Sequence, residues 1–567
     1  MEFARLGDRI GSNDSWWATV LQESHVFVVG RRSTAPKRTI RRERGRKGER
    51  GKGRRVMLRT SLLFLHPEDR VGDGRHAPAA YGDLNLDQLV DALIRGREEY
   101  DLAPLFQAFP VDREISVYRQ EVFQDLEGRD ASSAVRVFTA SVQGVRQRLG
   151  QVKRFHYLRQ KDRFYLDAVV TYVKACRTLS STLNDAAIAS RALSEVRDYL
   201  QAYVKSSALL ARDQEAHEIL RSLGEITYSI RVRGETVTVT PDRGEPKSRE
   251  TIERTFARFR REEGREDRTQ VPDSLEMDHV EAQILDRVAR LFPTVFERLA
   301  RFRADDASGT DFLDPVLVAF DREVQYYLAY LDFIEPVRRT GLPFCYPEFA
   351  PWEQGYDCES TFDLLLARKL VDEGRTPVVN DWRVEPGEGV FVLTGPNHGG
   401  KTTFARAVGQ IHVLANLGFP TPGERARLPQ VDRVLTHFER EERVFGEAMS
   451  KLEDDLVRIR EILEQATPLS LVIVNEMLSS TTLRDGTVLG RRIVKQLLAT
   501  GAISLWVTFI EPLATVKGAV SLVSLAGADG SPSYRVLRGA PGGVAHALAI
   551  ARRYGLDHDT VRKSVGS

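Results

Sequence analysis

Cysteine is scarce in this chain. The three present, Cys176, Cys345 and Cys358 in 567 residues, lie far apart and form no C-x-x-C pair. That excludes a disulfide framework and a cysteine-based zinc site, and it fits a reducing, cytoplasmic setting. Long apolar runs are missing too: none reaches the ~20 residues of a membrane span, and no apolar stretch with a cleavage site opens the sequence, so no membrane partner is expected. A large net charge of one sign is also absent, since 82 basic against 80 acidic residues leave +2.

That small sum hides an uneven distribution. Residues 31–55 hold 13 of the basic residues and 2 acidic ones, so 69 basic and 78 acidic residues make up everything else. The basic run sits in a segment, residues 1–56, with no sustained apolar period, and disorder is expected there. Two readings stay open: a nucleic-acid arm, or translated sequence upstream of Met57, which opens MLRTSLLFLHPEDR. The remaining length allows two to four domains with a large core.

From Tyr81 to Gly224 the apolar spacing is helical. Asp83–Phe106, Phe164–Leu179 and Ala189–Ala211 each place apolar residues on one face. The texture changes at Gly224, where GEITYSIRVRGETVTVTP alternates apolar and polar residues and reads as a hairpin ending at Pro241. Residues 231–261 carry 9 basic against 5 acidic residues. A small basic β-tip between long helices suits contacts to a nucleic-acid backbone, through Arg231, Arg233, Arg243, Lys247 and Arg249; a solvated hairpin without a ligand would look similar. Helical texture returns over Val280–Arg301 and Asp314–Phe333, both read as amphipathic, before a Pro, Gly and aromatic break near residue 341.

The most specific stretch follows, VFVLTGPNHGGKTT (Val390–Thr403). An apolar strand runs into a glycine-rich turn and then a helix opening at Lys401, with Gly395, Gly400, Lys401 and Thr402 in the spacing G-x-x-x-x-G-K-[ST]. Glycines let successive backbone N–H groups point inward, and the positive end of the next helix adds to the attraction for phosphate. Gly395, Pro396, Asn397, His398, Gly399, Gly400, Lys401, Thr402 and Thr403 are therefore the expected ATP-binding residues. Lys401 faces the β/γ-phosphates and the Thr402 hydroxyl faces Mg²⁺. Ser470–Asn475 reads as a buried strand that ends in Glu476, placed to polarise an attacking water. Asn475, beside it, is the second expected Mg²⁺ contact, though it brings no charge. Ile503–Thr508 adds a further strand to a parallel α/β pattern.

On these motifs the chain resembles the MutS family of DNA-repair ATPases over most of residues 81 to 565. Thr394–Thr403 matches the family's T-G-P-N-x-G-G-K-[ST]-T, Phe419–Thr436 is similar to the segment leading to its signature loop, and Asn475–Gly486 (NEMLSSTTLRDG) is similar to D-E-I-G-R-G-T-S-T-x-D-G. Arg538–Leu556 resembles its closing strand and helix. The resemblance implies that Ser450 reaches ATP in a neighbouring subunit of a homodimer. Three departures bear on hydrolysis: Asn475 for aspartate, Phe509 for the histidine that senses γ-phosphate, and Leu478, Ser479 and Ser480 for Gly-Arg-Gly. A mismatch-reading motif, a connector domain and the nuclease-like extension are not found, so a short form is expected.

The expected architecture is multidomain. A basic tail (1–56) precedes a mainly α-helical core with lever helices (57–223), a β-rich clamp tip (224–271), returning lever helices (272–340) and an α/β P-loop ATPase domain (341–567). The expected function is an ATP-gated, dimeric clamp on double-stranded or branched DNA in repair or recombination. It would use ATP and Mg²⁺, hydrolyse weakly, and work with repair proteins. The alternative is a nucleotide-switched scaffold that hydrolyses little and regulates protein partners. A third class, built on long heptad coiled coils, is excluded because the helices are too interrupted.

Overall fold

The computed structural model of the chain describes residues 61–65, 78–233, 236–242, 277, 279–306, 308–439, 451–526, 531–541 and 562. Residues 1–56, Arg243, Lys247, Arg249, Ser450 and most of the segment after Arg538 lie outside these, and with them the expectations they carry.

The longer helices before residue 225 are α1 (Leu86–Ile94), α2 (Arg113–Glu127), α3 (Arg129–Arg154), α4 (Leu158–Asp185), α5 (Arg191–Val204) and α6 (Ser207–Gly224). The periodic stretch Ala189–Ala211 is thus two helices rather than one. Ser206 interrupts it, with extended backbone and a side chain that accepts the Leu209 N–H at 3.3 Å, which caps α6. Strands β1 (Tyr228–Arg233) and β2 (Thr236–Pro241) pair antiparallel, Ile230 opposite Val239. The return path also splits, into α7 (His279–Leu291) and α8 (Pro293–Ala304), broken at Phe292. Pro293 suits the first turn of α8, while its ring and missing N–H disfavour continuing α7 through it.

Helix α9 (Pro315–Arg338) departs most from its sequence reading. Instead of showing one apolar face it is buried on nearly all sides, including Asp321, Glu323 and Gln325. These polar groups are tolerated because they are partnered. Asp321 pairs with Arg146 of α3. Burial pushes the Asp321 carboxyl up to about 7, against the downward pull of Arg146. Glu323 accepts the Ser61 hydroxyl at 2.8 Å and the Leu62 N–H at 2.6 Å, which anchors residues 61–65 in the core.

Beyond residue 340 the chain forms two larger sheets. One joins Glu348–Phe349, β3 (Tyr356–Thr361), β4 (Asn380–Val384) and β6 (Arg425–Leu428). Helix α10 (Leu364–Asp372) lies between β3 and β4 in the chain. The second sheet has six strands, in the order β7 (Val434–Phe438), β8 (Leu471–Asn475), β9 (Ile503–Val507), β5 (Val390–Thr394), β10 (Ala519–Ala526) and β11 (Pro532–Arg538). All neighbours are parallel except the β10–β11 pair. Strands β5, β8 and β9 are buried at every residue, as a parallel sheet covered on both faces requires. The covering helices are α11 (Lys401–Asn416), α12 (Lys451–Gln465) and α13 (Leu483–Thr500).

The helical and α/β parts are not packed as separate bodies. One apolar cluster runs from Leu62 through α9 to Phe419 and Val536. Its hinge point is the turn after α11. There the Tyr326 hydroxyl donates to Leu417 O at 2.8 Å, Tyr330 to Pro420 O at 2.8 Å, and Ser116 to Asn416 O at 2.6 Å. Gly418 sits at φ +81, and a Cβ there would lie 2.6 Å from Arg119 Cβ, so only glycine fits. Phe419 stacks on Tyr330 with ring centroids 4.1 Å apart and touches Tyr326 and Phe123. Phe419→Ala should therefore cost about 3–5 kcal/mol, the range for truncating a buried aromatic. Chemical denaturation monitored by fluorescence reads this, and a loss below about 1 kcal/mol would contradict the described packing.

Candidate nucleotide-binding site

The site grows from the junction of β5 and α11. Strand β5 ends at Thr394, and Gly395 then turns the chain at φ +136. A Cβ at Gly395 would lie 2.8 Å from Ser524 O on β10, so the loop needs both the backbone freedom and the missing side chain. Ser524 closes the loop from the other side, donating from its hydroxyl to Gly399 O at 2.6 Å. Gly400, at φ +86, is the N-cap of α11, whose first amides are left facing the loop without a side-chain cap.

Lys401 is almost fully buried, and its ammonium folds over the loop it follows. Nζ donates to Gly395 O at 3.0 Å and Pro396 O at 2.8 Å. Burial lowers its pKa, and the nearby Glu476 carboxylate pulls it back up. The Thr402 hydroxyl donates to Asn475 Oδ1 at 3.0 Å, so the two residues expected at Mg²⁺ stand side by side. Glu476 follows β8 with its backbone in the left-handed region, φ +54, and its N–H donates to Val507 O at 2.9 Å. It lines one open cavity of about 570 Å³ with Asn397, His398, Gly399, Gly400, Lys401, Thr402 and Thr403. The donor set fits a triphosphate with Mg²⁺: backbone amides and an ammonium for the phosphates, and a hydroxyl and an amide oxygen for the ion.

A second cavity of about 270 Å³ adjoins the first across Gly400 and Thr403. Phe362, Leu366, Leu370, Pro377 and Val378 make it largely apolar, and Tyr534 borders both spaces. Tyr534 is half exposed at φ +58, with its ring over Gly400. Asn380 holds it there, donating to Tyr534 O at 3.0 Å and accepting the Val536 N–H at 2.8 Å. Sequence reading missed this neighbour. Tyr534 lies far along the chain from the glycine turn, with no motif to tie the two together.

The other expected residues are distributed as follows. Phe509 is exposed just past β9. Arg231 is exposed on β1 and Arg233 ends that strand, both far from the glycine turn in sequence. Among the described residues no helix is long and apolar enough to cross a membrane.

The fold and the site together define a class: an α/β domain in which a glycine turn joins a central strand to a buried helix. The description "MutS domain V" matches residues 391–530. The protein named Endonuclease MutS2 of Gemmatimonas aurantiaca is 32% identical over 201 residues, covering 34% of this chain and 24% of that protein. Its namesake in Thermus thermophilus is 30% identical over 194 residues, 33% of this chain and 26% of that one. The DNA mismatch repair protein MutS of Aquifex pyrophilus is 32% identical over 135 residues, 22% of this chain and 16% of that one. The chain thus spans about a quarter or less of the length of these curated relatives. Over residues 391–530 the chain is similar to domain V of the MutS family.

Gly395→Ala tests the loop geometry. Its Cβ would collide with Ser524 O in a backbone conformation closed to alanine, and a loss of about 1–3 kcal/mol is expected. The measurement is the thermal shift against wild type, and an unchanged melting temperature would contradict the described turn.

Proposed function

We propose that this chain binds ATP with Mg²⁺ in the Gly395–Thr403 loop, pairs with a second copy, and grips double-stranded or branched DNA in repair or recombination. The observation that carries the reading is the cluster at the loop: Lys401, Thr402 and Glu476 line one open cavity beside bare helix amides, with Asn475 bonded to the Thr402 hydroxyl. Bound phosphate would draw Lys401 Nζ off the Gly395 and Pro396 carbonyls it now satisfies. The apolar cavity beyond Tyr534 is sized for the base and ribose.

In hydrolysis, the oxygen of a water would attack the γ-phosphorus while the bond to the β–γ bridging oxygen breaks, giving ADP and phosphate. Glu476 would take the water's proton. Slow turnover is the consistent expectation, because Asn475 offsets none of the Mg²⁺ charge and Phe509 offers no hydrogen bond. The same two residues favour a second reading, a nucleotide-switched scaffold whose output is a change of protein partner.

DNA contact is assigned to the hairpin and the basic segment after it, Arg231, Arg233, Arg243, Lys247 and Arg249. Backbone contacts of this kind position a protein without reading sequence, so matched and mismatched linear duplexes should bind alike.

Two experiments test the reading. Lys401→Ala should weaken fluorescent-ATP binding at least tenfold, about 1.4 kcal/mol, in a protein that stays folded by circular dichroism. Equal affinity in mutant and wild type would sink the nucleotide assignment. Reversing charge at Arg231, Arg233 and Lys247 should weaken duplex binding and flatten its dependence on salt, by about 0.9 in the log–log slope per lost phosphate contact. ATP affinity should not change; a salt slope identical to wild type would remove the hairpin from the DNA interface.

A further inference from the structure

The turn that presents Glu476 contains two left-handed residues that are not glycine, Glu476 at φ +54 and Leu478 at φ +65. Such conformations cost free energy and persist only where surrounding contacts enforce them. On one side the enforcing contact is in the sheet, where the Glu476 N–H donates to Val507 O at 2.9 Å. On the other it is a carboxylate: Asp455 Oδ2 on α12 accepts the Leu478 N–H at 3.1 Å. Met477 and Leu478 are both buried, so this amide has no water to turn to.

Asp455 is itself fixed. Its other oxygen, Oδ1, lies 3.1 Å from Nε2 of His437, a ring buried completely on β7. The ring thus stands in close polar contact with the carboxylate, at an angle outside that of a well-aligned hydrogen bond. Burial pushes the Asp455 carboxyl up, but the contacts from His437 and the Leu478 N–H outweigh it and hold the group below its usual value. The carboxylate is thus kept charged and aimed at the turn. It ties together the edge strand β7, helix α12 and the residues just past Glu476.

We infer that Asp455, braced by His437, is the positioning residue for Glu476: it holds the left-handed turn that points the Glu476 carboxylate into the phosphate cavity. This rests on the proposed role of Glu476 in ATP hydrolysis. Because Asp455 lies in the first turn or so of α12, a shift of that helix would move the Glu476 turn with it.

The test uses the full chain with Asp455→Ala, Asp455→Asn and Glu476→Gln, singly and combined. Asp455→Ala should lower ATP turnover about tenfold while ATP affinity stays within twofold, and Asp455→Asn, which keeps an acceptor oxygen, should lose less. In the Glu476→Gln background Asp455→Ala should cost nothing more, because the group it positions is already disabled; a purely structural role would give the same fractional loss in both backgrounds. Backbone hydrogen exchange over residues 474–482 supplies a readout independent of turnover. Protection there should fall in Asp455→Ala, with neighbouring β9 unchanged. Additive losses in the double variant, or unchanged exchange in Asp455→Ala, would overturn the inference. If wild type binds no nucleotide, the proposed function fails, and the exchange measurement still decides whether Asp455 holds the turn.

Discussion

The structure depends on the turn at Leu417–Pro420, where the helix that begins at the glycine loop ends against the helical core. Hydroxyls of Tyr326 and Ser116 take up carbonyls that the end of α11 leaves open, Tyr330 bonds Pro420 O in the turn beyond, and Phe419 fills the space among the rings of α9 and α2. Arg119 adds bonds to Leu63 O and, more weakly, to Leu417 O. Helix ends normally leave such carbonyls to water or to caps. Here the core itself supplies the partners, so α11 cannot shift along its axis without breaking buried bonds.

That constraint gives α11 two fixed ends with different chemistry. Its start meets the phosphate cavity through Gly400, Lys401 and Thr402, and its finish meets α9, which runs the length of the helical core. Along its middle, Gln410 bonds Leu84 O, the Leu364 N–H and Asp363, and so joins the first helices to the cap of α10. Buried polar networks of this kind carry a high cost if any partner is lost, which favours movement of α11 and α9 as a unit. A ligand that pulls on Lys401 would act on the same rigid element.

Much of the site could be read from the sequence because its chemistry is local. Strand, glycine turn, lysine and threonine fall within Val390–Thr403, and the pattern of backbone demands on that segment leaves little choice of residue. Asn475 and Glu476 were legible for a similar reason, as polar residues at the end of a wholly apolar strand. Tyr534 and Asp455 were not. Each acts through a contact far along the chain, one by a left-handed backbone held by Asn380 and one by a single amide bond to Leu478. In the helical part the apolar period identified helices but not their ends. Ser206 and Pro293 cut segments whose apolar spacing continues across the break, and α9 looked one-sided because its buried acids and tyrosines count as polar until their partners are seen.

The central proposal is that one chain binds nucleotide at the glycine loop and DNA at the β1–β2 hairpin, and that the two ligands affect each other's binding. The most direct measurement is duplex affinity at fixed salt with and without saturating ATP and Mg²⁺, paired with ATP affinity with and without saturating duplex. The account predicts that each ligand changes the other's dissociation constant by the same factor, about fivefold or more. ATP that binds normally while leaving duplex affinity unchanged would contradict it.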